Sequence, residues 1–342
     1  MHPRQILLYY NVSRTCRIRY TMPQKITRLA TALSALAIAT PSAATNVVAS
    51  IKPVELLVKA VAGDSVEVST LVPPGSSPHN YSMKPSQRRA LEQADVIFWV
   101  GPEMETFLNR LLGGKEFAGR SVSFLESEGA ESEHDEHHDE HNHEPEHEEH
   151  DDHGHHDEPD LHHHDHGDGE DPHIWVDPML ALDMAKDIRN ALAELEGANP
   201  EQLNANLERF QTELLNKEQS IRASFAGLDN VSLFAYHDAF TRYAEHYGLT
   251  LEGVLTLNPE LSPGARHIAD VQAKLEAANQ PCLLTEPQFN RQWWRSITEG
   301  LNVTFSTWDP LATDIESTPS GYIEFQQSVA DAVLKCLPKQ TQ

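Results

Sequence analysis

Between Ser121 and Asp171 the chain carries 21 Asp and Glu residues and no Lys or Arg. Fifteen of its 20 histidines fall between His134 and His173. Apolar side chains are nearly absent there, so the segment cannot bury enough surface to offset the entropy of ordering it. A disordered loop is expected over residues 126–171, and any fold must be built from the chain on either side. The formal charge of −26 is concentrated in this stretch, and the rest of the chain is only mildly acidic. That balance argues against nucleic acid and anionic membrane surfaces as partners, because both are held through Lys and Arg. No run reaches the roughly 18–20 apolar residues of a membrane span.

The N-terminus has the layout of a secretory signal peptide. Residues 1–44 contain Arg4, Arg14, Arg17, Arg19, Lys25 and Arg28 and no acid, then the short apolar run Leu29–Ala39, then Pro41-Ser42-Ala43-Ala44. A basic start, an apolar middle and a small-residue end are removed on export. Met22-Pro-Gln-Lys-Ile-Thr-Arg itself makes a normal leader start, so residues 1–21 read as an early start codon. Cys16 leaves with the leader, and Cys282 and Cys336 remain. Two cysteines in an exported chain read as one disulfide, with a pair of free buried thiols as the alternative.

The rest of the chain alternates strand-like and helix-like segments, the mark of parallel α/β architecture. Strands are expected at Asn46–Ile51, Val66–Val72 and Asp95–Val100. Helices are expected at Pro53–Ala62, Pro85–Ala94, Glu103–Leu112 and Pro178–Leu195. Asn199-Pro200 opens a long helix in which Leu203, Leu207, Phe210, Leu214, Ile221 and Phe225 recur at helical spacing until Gly227. At 1.5 Å per residue it spans about 40 Å, enough to cross a lobe. A second series follows, with strands at Val231–Tyr236, Leu251–Leu257, Cys282–Thr285 and Val303–Thr307. Its helices are expected at Asp238–Tyr247, Pro263–Ala278, Arg291–Gly300 and Gly321–Leu337. The fold class is therefore α/β: two parallel-sheet lobes of four βα units each, joined by one long helix. The first lobe covers 45–198, the linker 199–228 and the second lobe 229–342. Ligands of such sheets bind at the carboxyl ends of strands, which points to the cleft between lobes.

Five histidines of the mature chain lie outside the acidic loop or at its edge: His79, His173, His237, His246 and His267. The first three are read as lying in loops directly after apolar strands, where segments from both lobes can converge. Each alone could be an ordinary hydrogen-bonded loop histidine; together they point to a shared metal. Three neutral imidazoles and one oxygen suit zinc. Asp309 is expected as the oxygen ligand and Glu286 as a partner orienting a histidine or loop. His246 and His267 fall inside helices and are assigned to surface or packing roles.

At these residues the sequence resembles the zinc-specific branch of the zinc- and manganese-binding periplasmic solute-binding proteins of bacterial ABC importers. The matching segments are Val47–Pro53, Pro78–Ser86, Trp99–Glu105, the His-rich loop, His173–Val176, Tyr236–Ala239, Asn258-Pro259-Glu260, Glu286–Phe289, and Leu311 after Asp309-Pro310. The resemblance implies that His79, His173 and His237 are the metal histidines and that Cys282 pairs with Cys336. Manganese-binding relatives carry a carboxylate at the position of His237, so imidazole there implies zinc. Some zinc members have Glu just before the first histidine; Pro78 stands here, which shifts the fourth position toward Asp309 or water. The resemblance further implies a rigid linker helix, small lobe movements, a periplasmic monomer, and delivery of Zn²⁺ to a membrane permease driven by its ATPase.

His137, His138, His141, His143, His153, His155, His156, His162, His163, His164 and His166 supply many imidazoles without fixed geometry. They are expected to form several weaker zinc sites, or else a solvated spacer that binds metal incidentally. His143-Glu144-Pro145-Glu146-His147 fits a zinc-hydrolase pattern, but that pattern needs a helix and Pro145 lies inside it. Two other functions compete with zinc capture for transport. One is a secreted zinc-dependent hydrolase, since three histidines and a water also describe a catalytic site. The other is extracellular zinc buffering through the loop.

Overall fold

Short apolar runs build a sheet at the centre of each half of the chain, as a computed structural model shows. The structure describes residues 45–125, 171–228, 230–256, 263–289, 294–295 and 297–337. The expected leader, the His-rich segment with its auxiliary histidines, and Asn258-Pro259-Glu260 lie outside the described residues, and the helix expected at Arg291–Gly300 lies partly outside them.

The first sheet contains β1 (Thr45–Ala49), β2 (Val66–Thr70), β3 (Val96–Trp99) and β4 (Ser121–Ser123) in the order β2-β1-β3-β4. The second contains β5 (Ser232–His237), β6 (Leu251–Thr256), β7 (Pro281–Thr285) and β8 (Thr304–Thr307) in the order β6-β5-β7-β8. All pairings are parallel, so the two halves share one topology. In each, the strand order reverses beside the first strand, and the crevice at that reversal is where such sheets take ligands.

Both faces of each sheet are covered, which is why the central strands are almost continuously apolar. Val47 and Ala49 of β1 face one core and Val48 the other; Leu233 and Ala235 of β5 face one core and Phe234 and Tyr236 the other. The inner faces share a single cluster. It takes in α1 (Lys52–Ala62), α4 (Pro178–Ala193), the linker α5 (Pro200–Ser224) and the last helix, α8 (Gly321–Leu334). Phe210 of α5 meets Tyr322 of α8 edge-on at 5.7 Å between ring centres. A buried Asn206 on α5 donates to the carbonyl of Val61 at 2.9 Å, closing one of the open carbonyls at the end of α1. The linker is thus fastened to the core along its length.

Two expectations change. The helix expected from Glu103 begins only with a 3-10 turn at Thr106–Leu108 and continues as the short α3 (Asn109–Leu112). The reason is Glu105: its buried carboxylate accepts the backbone N–H groups of Val100 and Gly101 at 3.2 and 3.0 Å, bending the chain back over the end of β3. The fourth strand of the first lobe, β4, could not be placed in advance, because three residues are too few to show alternation. Cys282 and Cys336 form a disulfide, Cα atoms 5.6 Å apart, tying β7 to the end of α8.

Candidate metal centre

Each of three histidines is placed by a different local device. His79 sits in a proline-rich loop after β2, where its N–H donates to Ser77 Oγ at 3.3 Å. Gln87, near the start of α2 (Pro85–Gln93), holds that loop. It accepts from Lys84 N at 2.7 Å, contacts the Tyr81 hydroxyl at 2.9 Å and donates to the carbonyl of Leu71. His173 does not follow a strand; it opens a 3-10 turn, Ile174–Val176, whose Trp175 indole donates to Pro310 O at 2.7 Å in the second lobe. His237 is the last residue of β5 and pairs in register with Thr256.

The three rings converge. Their centres are 5.3 Å (79–173), 5.3 Å (79–237) and 4.9 Å (173–237) apart. The Nε2 atoms of His79 and His173 lie 3.3 Å apart, and one ligand atom from each histidine falls within 4.8 Å of the others. Two nitrogens bound to one tetrahedral zinc at 2.0–2.1 Å stand roughly 3.3–3.4 Å from each other, so the spacing fits that ion. His173 and His237 are buried, and His79 is half-buried. Burial, then repulsion from His173 and His237, pushes the His79 pKa down to about 2. Burial lowers that of His173 as well. Neutral imidazoles with free lone pairs are the state that binds metal.

The carboxylates around the rings divide into three roles. Asp171 Oδ1 meets His173 Nδ1 at 2.8 Å and accepts its backbone N–H at 3.0 Å. Burial alone would raise this carboxyl, but its hydrogen bonds and charge contact with His173, joined by Arg242, hold it at about 2. An ionised acceptor at Nδ1 fixes the proton there and leaves Nε2 for the metal. Asp171 was missed in the sequence, although a carboxylate two residues before a metal histidine is the available signal. Glu286 is placed where expected, at the end of β7, with Oε1 3.5 Å from His237 Nδ1; neither atom has a hydrogen-bond partner. Asp309 is not brought to the centre, contrary to its expected role as a ligand. Its Oδ1 accepts Leu311 N at 3.0 Å and Gln288 Nε2 at 2.5 Å, and its Oδ2 accepts Thr313 N at 2.7 Å. An Asp before Pro, with free N–H groups just beyond, closes its own turn. Among the described residues, Glu286 is the one acid lining the cavity beside the histidines, with Ser77, Trp175, Gln288 and Phe289. That cavity measures about 20 Å³, room for one water or ion.

His246 and His267 stay out of the cluster. His267 Nε2 lies 2.9 Å from Val254 O, and His246 packs between Asp177 and Glu218.

Residues 47–336 match the family model described as zinc-uptake complex component A, periplasmic (ZnuA). The high-affinity zinc uptake system protein ZnuA of Yersinia pestis is 34% identical over 321 residues, covering 89% of this chain and 95% of that protein. The protein of the same name from Haemophilus influenzae is 31% identical over 337 residues, covering 92% and 100%. Among solved structures, a crystal structure of ZnuA superposes with a TM-score of 0.63 at 23% identity, covering 84% of this chain and 99% of that one. A ZnuA deletion mutant with zinc bound gives 0.66 at 23%, covering 87% and 100%. Both structures share the two-lobed α/β fold.

Proposed function

This chain belongs to the family of periplasmic zinc-uptake complex component A proteins, and we propose that it captures Zn²⁺ on His79, His173 and His237 and hands it to the membrane permease of an ABC importer. The observation that carries the assignment is the meeting of three imidazoles, one from the first lobe's β2 loop, one from the turn at 173 and one from the second lobe's β5. Three protein ligands leave a fourth position for water, as in an open zinc site. An open position suits a carrier that must release its ion. The leader expected at 1–44 and the disulfide fit an oxidising compartment, the periplasm. No helix among the described residues is long and apolar enough to cross a membrane. The docked partners are the permease and, through it, the ATPase; the carrier acts as a monomer.

A hydrolase would need space for a substrate beside the ion, and the small cavity of about 20 Å³ argues against it. Its Glu286 also faces a histidine ring rather than open space. Zinc buffering by the His-rich segment would leave the three histidines without a role. Calorimetry on His79→Ala, His173→Ala and His237→Ala separates these cases. Each substitution removes the tight zinc site while weaker sites persist. Tight binding retained in all three variants overturns the assignment.

A further inference from the structure

The segment Asp171–Asp177 carries His173 near its middle and is gripped at both ends by one helix of the other lobe. That helix is α6 (Thr241–Tyr247), which starts four residues after His237. Arg242 Nε donates to the carbonyl of Asp171 at 2.8 Å, and Nη2 donates to the same oxygen. Nε also stands 3.4 Å from Asp171 Oδ2. One turn further on, His246 Nδ1 lies 3.5 Å from Asp177 Oδ2. Asp177 in turn caps α4, its Oδ1 accepting Met179 N at 2.6 Å and Leu180 N at 3.1 Å. From the linker, Glu218 Oε1 lies 3.2 Å from His246 Nε2, and Arg222 donates to the His246 carbonyl at 3.0 Å.

We propose that Arg242 and His246 are positioning residues that set the register between His173 of the first lobe and His237 of the second. The chemistry runs through Asp171. A guanidinium donating twice to one carbonyl fixes the backbone of Asp171. That backbone aims the Asp171 carboxylate at Nδ1 of His173, and the carboxylate keeps the Nε2 lone pair turned toward His79. His246 holds the opposite end of the segment, so the turn between cannot rotate as a unit. The chain before Asp171 offers no substitute, since residues 121–170 contain no Lys or Arg. An Arg that donates to a backbone carbonyl beside a metal histidine, with its side chain only 16% exposed, is not a surface ion pair. This inference rests on the zinc assignment above.

The test uses the full exported chain as Arg242→Ala and Arg242→Lys, with wild type beside them. Three quantities are measured: zinc affinity by chelator competition, the unfolding midpoint of the metal-free protein, and the visible spectrum with one equivalent of Co²⁺. Arg242→Ala weakens zinc about tenfold or more, the lower end of what loss of an orienting partner costs. Its cobalt bands weaken and shift. Arg242→Lys, which keeps one donor to the carbonyl, recovers part of both. The metal-free midpoint moves little in the Lys variant, so a general loss of fold does not account for the change. Wild-type affinity and a wild-type cobalt spectrum in Arg242→Ala overturn the clamp alone. If Arg242→Ala fails to fold, an Arg242→Lys variant with unaltered zinc affinity and spectrum does the same. A wild-type chain with no tight zinc site overturns the zinc assignment and the clamp with it.

Discussion

Burial among other rings makes His79 and His173 resist protonation, and this gives the metal-free protein a pH dependence. The His79 pKa falls from 6.5 to about 2 on folding, through burial and then through the neighbouring histidines. Between those values the unfolded chain binds a proton that the folded chain does not, so stability is present above about pH 6.5 and is lost as pH falls below it. Zinc-free samples titrated from about pH 7 to about pH 5 lose unfolding free energy, and His79→Gln flattens that slope. An equally steep slope in the variant contradicts the account. At this scale much was legible. His79, His237 and Glu286 lie in or beside strand ends, as their sequence setting suggests, whereas His173 opens a 3-10 turn instead of following a strand. Asp309 and Asp171 exchanged importance. Which carboxylate faces a histidine depends on which N–H groups it can satisfy at home, and Asp309 has two within its own turn while Asp171 has the N–H and ring of His173.

Among the described residues, most strands and helices followed the hydrophobic periods where an element was long enough to show one. Misses came where one side chain overrode the period, as Glu105 does ahead of α3, or where an element was as short as β4. The contact between α8 and α1 was not legible, because it depends on the space around one residue. A Cβ on Gly321 would stand 2.6 Å from the carbonyl oxygen of Glu316 and 2.7 Å from Leu56 Cδ2. Since the nearer atom is backbone, the start of α8 must shift to admit a methyl group. Gly321→Ala is expected to cost about 1–3 kcal/mol in denaturant unfolding, and a variant as stable as wild type would show that the two helices separate freely. The disulfide reinforces the other end of α8. Closing a loop across a sequence separation of 54 stabilises by about 4 kcal/mol in the chain-entropy model.

At the scale of the whole molecule, the lobes share one continuous apolar core. Tyr322 and Gln326 of α8 also hold the carbonyls of Trp175 and Val176 at 2.8 and 3.0 Å. Such an interface favours small sliding over wide hinge opening. The three histidines meet among the described residues, so deletion of Glu131–Asp168 is expected to leave one tight zinc ion per chain in calorimetry and to lower the total bound. Loss of the tight site on deletion would mean that the segment contributes to it. The sequence by itself determined the α/β class, the two repeated lobes, the acidic insertion and the residue types of the centre. These follow from periodicity, composition and the few histidines outside the insertion, all local properties of the chain. Only the tertiary structure decided which carboxylate serves His173 and that α6 grips both sides of it. It also decided how small the cavity beside the three histidines is. Those outcomes depend on atoms far apart in sequence brought within about 3 Å, where hydrogen-bond direction and available volume select among groups that composition leaves equivalent.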